Sequence, residues 1–231
     1  MKTLGMIGGV SWESTAHYYT RINQLVAQRL GGLHSARLLM YSVEFDEVQK
    51  LQHADDWKNC GRIFTDIARR LEQAGADGLI ICANTMHILA EEIAEAVSIP
   101  VLHIAEATAA AVRDADVETV ALLGTRFTME KAFYRQVLED CGLRVMVPDE
   151  EERLELHRII YDELCQGVIK PESKDYFYRV VGRLARDGAS GAVLGCTEFS
   201  LIADPERSTV PLFDTAELHA RGAVDWMLAD G

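Results

Sequence analysis

The chain has 231 residues, of which 48% are hydrophobic and 26% are charged, with 17 Gly and 5 Pro. This composition is typical of a globular protein and excludes a disordered or fibrous chain. The length allows one large domain or two small ones. The formal net charge of −13 argues against a nucleic-acid-binding or anionic-membrane role, because such surfaces need concentrated Lys and Arg.

The five cysteines are scattered along the chain and form no CxxC or Cys/His metal spacing. The first apolar stretch, 4–10, contains three glycines and makes a poor signal peptide. No run approaches the roughly 20 apolar residues of a membrane span. These patterns predict a soluble protein of the reducing cytoplasm that has no metal site and binds no membrane.

Strand-like apolar runs alternate with amphipathic helical patterns along the chain. The predicted strands are 3–7, 36–43, 78–82, 101–103, 119–123, 143–147, 192–195 and 210–213. Predicted helices between them include 16–29, 57–73, 131–140, 153–165 and 174–186. This alternation predicts crossover connections, parallel sheets and an α/β fold. Glu44, Asp46 and Glu47 are expected on a solvated polar loop.

An internal comparison indicates two related halves. The sequence GADGLIICANT at 75–85 aligns without a gap on GASGAVLGCTE at 188–198, and the proline-led run at 100 aligns on that at 211. A weaker match pairs 4–8 with 120–124 and equates Tyr19 with Tyr134 in the following helix. The nearly equal offsets predict two related halves. The first lobe is predicted to contain 1–98 and 213–231, and the second 99–212.

The alignment places Ala83 and Cys196 at corresponding strand ends. Ligands bind beyond the carboxyl ends of parallel strands, so the two ends could contact opposite sides of one ligand. Cys196 precedes a potential helix start, where free N–H groups would lower the pKa of its thiol from about 8.5 toward neutrality. We therefore consider Cys196 a candidate base or nucleophile, and a buried structural cysteine is the alternative.

Other segments carry weaker signals. Asn84 and Thr85 are suited to binding a carboxylate or to capping a helix. His87 could pair with Glu91 one helical turn later or lie in the core. The glycines at 8–9 and 124 could let backbone N–H groups approach an anion or form plain turns. They match neither GxGxxG nor a P-loop, so nucleotide binding is poorly supported.

Taken together, four segments resemble the aspartate/glutamate racemase superfamily, and within it the aspartate racemase and broad-specificity amino-acid racemase branch. They are GGVSWES at 8–14, NTMH at 84–87, LGTRFTME at 123–130 and GCTE at 195–198. The resemblance covers nearly the whole chain. It implies two pseudo-symmetric α/β lobes with a cleft for an amino-acid substrate between them, a homodimer, and catalysis without pyridoxal phosphate, metal or other cofactor.

The resemblance also implies the site residues. Two opposed residues, commonly both cysteines, exchange a proton with the α-carbon, and here Cys196 and Ala83 occupy their positions. The implied substrate-binding residues are Val10, Ser11, Gln52, Asn84, Thr85, Thr125, Thr197 and Glu198. Ala83 departs from the family pattern of Cys or Thr and has no proton to give. The neighbouring Cys82 should face away from the cleft, because adjacent strand side chains point to opposite faces.

A second departure is Leu164, where aspartate-specific relatives place a lysine, which indicates a broader or more neutral substrate range. Three functions remain open. The first is a cofactor-independent amino-acid racemase in which Ala83 impairs one side. The others are a one-cysteine decarboxylase that resembles arylmalonate decarboxylase, and a non-catalytic amino-acid-binding protein.

Overall fold

The computed structural model describes residues 1–229, and the chain divides into two compact units. The first unit comprises Met1–Ile104 and the segment from His219 onward, and the second comprises Ala105–Leu218. Each boundary between the two units lies a few residues beyond the predicted lobe boundary, which is at 98 in the first case and at 212 in the second. The cause is strand pairing, because Val101 bridges to the first sheet while Leu212–Asp214 is a strand of the second. The final two residues, which the prediction includes in the first lobe, lie outside the described range.

Each unit contains one parallel sheet. The strands are β1 (Leu4–Gly8), β2 (Leu38–Ser42), β3 (Gly78–Ile81), β4 (Thr119–Gly124), β5 (Arg144–Met146), β6 (Gly191–Gly195) and β7 (Leu212–Asp214). The strand order is β2-β1-β3 in the first unit and β5-β4-β6-β7 in the second. The Val101 bridge lies beside β3 as β7 lies beside β6, so the two sheets share one topology. The predicted α/β fold with parallel sheets is confirmed.

Helices connect the parallel strands. They are α1 (Trp12–Leu30), α2 (Phe45–His53), α3 (Trp57–Gln73), α4 (Ala90–Ala96), α5 (Ile104–Asp114), α6 (Arg126–Glu130), α7 (Ala132–Asp140), α8 (Glu150–Asp162), α9 (Pro171–Arg186) and α10 (Thr215–Leu228). Short 3-10 turns occupy Thr85–Leu89, Leu164–Gln166, Thr197–Leu201 and Pro205–Arg207. None of the helices described is long and apolar enough to span a membrane.

Two neighbouring helices show how local sequence sets the elements. The predicted bounds of α3 are confirmed, because Asp56 caps its first turn by accepting from the Asn59 N–H and its apolar face is buried. The predicted polar loop around Glu44 is wrong. The Glu44 carboxylate accepts from the Glu47 N–H at 2.8 Å and starts α2, which carries the buried Val48. The acidic residues are exposed, but they form a helix start.

The core of each unit lies between its sheet and the crossover helices. In the first unit, α3 packs apolar residues such as Phe64 against β1 and β3. In the second, α8 and α9 cover β4 and β6, and Phe177 contacts Phe199 with ring centroids 5.0 Å apart. All side chains of β1, β3, β4 and β6 are buried, as expected for central parallel strands covered on both faces.

One detail of the predicted internal repeat is wrong by one residue. Leu4 of β1 pairs with Gly78, the first residue of β3, and Val120 of β4 pairs with Gly191, the first residue of β6. The strand register therefore makes Leu4 equivalent to Val120. The same offset equates Tyr134 with Tyr18 rather than with Tyr19. Tyr18 and Tyr134 are both fully buried, whereas Tyr19 is 52% exposed.

Candidate active site

The carboxyl ends of β4 and β6 meet in the second unit. Gly124 and Gly195 are paired, and a Cβ on Gly124 would stand 2.7 Å from the Gly195 carbonyl oxygen. Glycine therefore allows a backbone approach that no larger residue could make. This approach brings Thr125, which follows β4, and Cys196, which follows β6, to one edge of the sheet.

Cys196 is 7% exposed, and its thiol is hydrogen-bonded to a carboxylate. Its Sγ donates to Glu198 Oε2 at 2.9 Å, and the Thr197 hydroxyl donates to the same oxygen at 2.9 Å. Burial raises the pKa of the Cys196 thiol well above its usual value, and the negative charge of Glu198 raises it further. The predicted lowering of this pKa is wrong, because burial and the adjacent carboxylate both raise the pKa and only a short 3-10 turn follows Cys196. Glu198 is the hydrogen-bond acceptor of this thiol.

Side chains of α8 and the following turn surround this thiol. Tyr161 and Cys165 pack against the apolar cluster that contains Cys196, and both interact electrostatically with the Cys196 thiol. The ring of His157 lies 4.7 Å from that of Tyr161, and its Nδ1 accepts from the Arg126 N–H at 3.2 Å. Thus α8 links the turn that follows β4 to the surroundings of Cys196.

Thr125 caps the helix that follows β4. Its Oγ1 accepts from the Thr128 N–H at 3.3 Å and lies 3.2 Å from the Thr128 hydroxyl. The side chain is buried. Thr125 therefore has a structural role as the N-cap of α6, and it lies at the same sheet edge as Cys196.

In the first unit, the corresponding strand end carries Cys82 and Ala83. Cys82 is fully buried, its N–H donates to the Ile7 carbonyl at 2.9 Å, and its own carbonyl accepts from the Ser14 hydroxyl at 3.0 Å. Burial raises the pKa of the Cys82 thiol strongly. Cys82 is enclosed in the interior, and the adjacent position carries only the methyl group of Ala83.

Asn84 and Thr85 follow Ala83 and are both buried. Thr85 begins a 3-10 turn in which the Asn84 carbonyl accepts from the His87 N–H at 3.0 Å. The Asn84 side chain makes no capping bond to this turn, so helix capping does not account for an asparagine here.

Two buried histidines, His87 and His219, and the partly buried His103 form a cluster next to Ala83. The predicted pairing of His87 with Glu91 is wrong, because His87 Nδ1 donates to the Ala83 carbonyl at 2.8 Å while Nε2 accepts from the backbone N–H of residue 104. The rings of His103 and His219 lie 4.7 and 5.5 Å from that of His87. Burial lowers the pKa of all three, to about 4 for His103 and His219.

The turn after β1 carries Val10 and Ser11. The Ser11 side chain caps α1 by accepting from the Ser14 N–H at 3.3 Å. The Thr15 hydroxyl donates to the Ser11 carbonyl at 2.9 Å and accepts from the Gly9 N–H at 2.8 Å. These bonds hold the backbone around Val10 and Ser11 at the carboxyl end of the first sheet.

Gln52 lies on α2 and is 1% exposed. Its Nε2 lies 2.9 Å from the sulfur of Met86, which precedes His87 in the 3-10 turn. Its Oε1 is buried and has no hydrogen-bond partner among the residues described here. A buried amide oxygen without a hydrogen bond destabilises the folded protein by about 1–3 kcal/mol, so its presence indicates a further role for the side chain.

Comparison with known proteins identifies the family. The sequence model for Asp/Glu/hydantoin racemases matches residues 7–223. The chain belongs to this family. A Yersinia pestis crystal structure, described as a candidate Asp/Glu racemase, is 45% identical, with 99% of this chain and 100% of that one covered and a TM-score of 0.93. An aspartate racemase homologue from Pyrococcus horikoshii OT3 is 35% identical, with 98% and 99% covered and a TM-score of 0.85.

Among curated relatives, the broad specificity amino-acid racemase RacX of Bacillus subtilis (strain 168) is 24% identical, with 98% of each chain covered. The predicted racemase family is therefore confirmed, as is the fold. Membership supports amino-acid racemase chemistry as the general class of function.

The sequence did not indicate several residues that lie around the carboxyl ends of β3 and β6. Tyr161 belongs to no motif and comes close to Cys196 only through the packing of α8, and His157 contacts the ring of Tyr161. His219 is 132 positions from His87 in sequence, counted from their residue numbers, and joins its cluster through the fold. For Ser14 a signal existed, since it ends the GGVSWES segment and contacts the carbonyl of Cys82.

Proposed function

We propose that this chain is an amino-acid racemase that transfers protons at the substrate α-carbon without pyridoxal phosphate or metal, with Cys196 as one base. The supporting observation is the hydrogen bond from the Cys196 thiol to Glu198 at the carboxyl end of β6. A buried thiol that serves only packing does not need a carboxylate beside it. Glu198 raises the free energy of the thiolate, and it also supplies an acceptor for the thiol proton.

The reaction begins when the proton of Cys196 Sγ moves to Glu198 Oε2. The thiolate then removes the α-proton, and the electron pair of the broken C–H bond stays on the α-carbon as a carbanion delocalised into the carboxylate. Inversion requires protonation of that carbon from the opposite face. Ala83 occupies the corresponding position and has no proton to give. We therefore expect α-proton exchange on one face to be faster than inversion.

Polar groups at the strand ends would bind the substrate carboxylate and ammonium, and their burial would strengthen each hydrogen bond. The Oε1 of Gln52 is an acceptor without a donor in the described chain, and an α-ammonium group is such a donor. The full proposed binding set is Val10, Ser11, Gln52, Asn84, Thr85, Thr125, Thr197 and Glu198.

We propose a substrate range that extends from Asp and Glu to neutral amino acids. Leu164 is buried in the apolar cluster around Cys196, and a leucine supplies no charge to a distal carboxylate. The homodimer implied by the family resemblance is also proposed, and light scattering of the purified protein tests it. A mass near 25.7 kDa would contradict the dimer.

The decisive experiment follows α-proton exchange and inversion separately in deuterated water. L- and D-enantiomers of aspartate, glutamate, homoserine and alanine are incubated with the protein, NMR reports deuterium at the α-carbon, and chiral chromatography reports inversion. Ala83→Cys and Ala83→Thr should raise inversion by at least about 10²-fold, the low end of a general acid–base contribution. In the parent chain one enantiomer should exchange its α-proton faster than the other, and Cys196→Ala should abolish that exchange.

Equal inversion rates for the parent chain and both position-83 variants would refute the two-base reaction. Leu89→Met serves as the matched control, since it changes a buried apolar residue of the turn after Ala83 without adding a proton donor. Binding of amino acids without any exchange, detected as a rise in melting temperature, would instead indicate an amino-acid-binding protein.

Of the corresponding positions 83 and 196, only the second carries a thiol, and this favours one second candidate. In a decarboxylase, loss of carbon dioxide from a malonate generates the carbanion, and one thiol suffices to protonate it from one face. Release of carbon dioxide from an aryl malonate, together with no exchange of any amino acid, would decide for this reaction. Ala83→Cys would then leave the rate of carbon dioxide release unchanged.

A further inference from the structure

A buried carboxylate outside the proposed chemistry lies at the end of α8. The Glu163 side chain is 1% exposed and accepts three hydrogen bonds. Its donors are Ser173 Oγ at 2.6 Å, Arg158 Nη1 at 2.9 Å and Lys170 Nζ at 3.3 Å. Burial raises the pKa of Glu163, but hydrogen bonds from these three groups outweigh it and hold the pKa below its usual value. Glu163 is therefore a buried anion.

The backbone of Glu163 organises the turn that follows it. Its carbonyl accepts from the N–H groups of Gln166 and Val168, both at 2.9 Å, and so closes the 3-10 turn Leu164–Gln166. Ser173 lies on α9 and Lys170 immediately precedes that helix. The Glu163 side chain thus ties the end of α8 to the start of α9, with the turn held between them.

This turn borders the segment that carries Cys196. It packs against the 3-10 turn Thr197–Leu201, which directly follows Cys196. Leu164 is 2% exposed and belongs to the same apolar cluster as Cys196, while Cys165 packs against that cluster. A shift of the Leu164–Gln166 turn would therefore change the solvent access and the contacts of the Cys196 thiol.

We propose that Glu163 is a positioning residue whose carboxylate clamps the Leu164–Gln166 turn against the Cys196 segment and thereby controls the reactivity of the thiol. The proposal rests on the proposed function only for its consequence in catalysis. The clamp acts through the turn, since none of the hydrogen bonds of Glu163 reaches Cys196. Arg158 and Lys170 both form ion pairs with Glu163, and Arg158 forms a second ion pair with the partly exposed Glu155.

The test compares Glu163→Gln with Glu155→Gln, a matched control that removes a partly exposed carboxylate from the same Arg158. Mass spectrometry follows iodoacetamide modification of the Cys196 peptide from pH 7 to 10, at a temperature where all variants are folded. In Glu163→Gln we expect modification to be about tenfold faster and kcat/KM for exchange about tenfold lower, as for residues coupled in one network. Glu155→Gln should change neither.

A role confined to stability would lower the unfolding midpoint of Glu163→Gln while leaving the modification rate, its pH profile and kcat/KM at parent values, and that result would overturn the proposal. If Glu163→Gln does not fold, Ser173→Ala removes the 2.6 Å bond alone and should shift both rates in the same directions; unchanged rates there also overturn it. If no variant catalyses exchange, the proposed function fails, and the modification rates still decide whether the clamp exists.

Discussion

Acidification should destabilise the protein through the histidine cluster next to Ala83. His219 is 1% exposed, its Nε2 donates to the Leu102 carbonyl at 2.8 Å, and its Nδ1 accepts from the Tyr18 hydroxyl at 3.0 Å. Both ring nitrogens are thus satisfied in the neutral form. Protonation of Nδ1 would remove the lone pair that accepts from the Tyr18 hydroxyl, and it would place a charge in the core.

The size of the effect follows from the pKa change on folding. Burial lowers the pKa of His219 from 6.5 to about 4, so the unfolded chain binds more protons and stability rises with pH. This stabilisation is fully present above pH 6.5 and is lost as the pH falls from 6.5 toward 4. At pH 5 the loss is about 2 kcal/mol for His219 alone. The pKa of His103, also lowered to about 4, adds a loss of similar size.

Urea unfolding followed by circular dichroism at pH 7.5, 6 and 5 measures this loss. His219→Gln should reduce the difference in unfolding free energy between pH 7.5 and 5 by about 2 kcal/mol, whatever its stability at pH 7.5. His34→Gln is the matched control, because His34 is exposed and its substitution should preserve the parent's pH dependence. An unaltered pH dependence in His219→Gln would refute the reasoning.

Three substitutions test other contacts. Glu198→Gln removes the charge beside the Cys196 thiol and should lower the pKa of that thiol. Iodoacetamide should then modify the thiol about tenfold faster for each pKa unit by which it falls, and an unaltered rate would contradict this. Gly8→Ala places a Cβ 2.4 Å from Thr15 Cγ2 and should cost about 1–3 kcal/mol in urea unfolding. Gly182→Ala, in α9 with its nearest neighbour 3.7 Å away, should instead stabilise by up to about 1 kcal/mol; the reverse order would refute the packing argument.

The fold could be predicted because its pattern is local and repeated. Apolar runs bounded by turn residues locate the parallel strands, and the strong amphipathic period of α3 fixes its bounds. The helix α2 was missed because Glu44 and its acidic neighbours resemble a solvated loop, and only the geometry of the Glu44 cap shows that they start a helix. A short helix carries too few apolar residues for its period to decide the matter.

The candidate site was only partly predictable, because its properties depend on burial and on distant contacts. The internal repeat locates Ala83 and Cys196 at equivalent strand ends, but a favourable helix terminus was expected beside Cys196 and the structure has a buried thiol beside Glu198. No local pattern indicates the buried network of Glu163, since Arg158 lies on α8 while Lys170 and Ser173 lie at the start of α9.

The two buried tyrosines show which features the halves of the chain must share and which may differ. Tyr18 hydrogen-bonds to His219 in α10, and Tyr134 lies 3.3 Å from the Thr108 hydroxyl in α5. The helix α5 follows the Val101 segment of the first sheet, and α10 follows β7 of the second. Thr108 and His219 are therefore equivalent in position but differ in residue type. A buried hydroxyl needs a polar partner, and either residue satisfies that need. Folding alone places no such demand on position 83, two residues beyond the end of β3, so the exchange and inversion rates of the position-83 variants measure what its side chain contributes to each face of the proposed reaction.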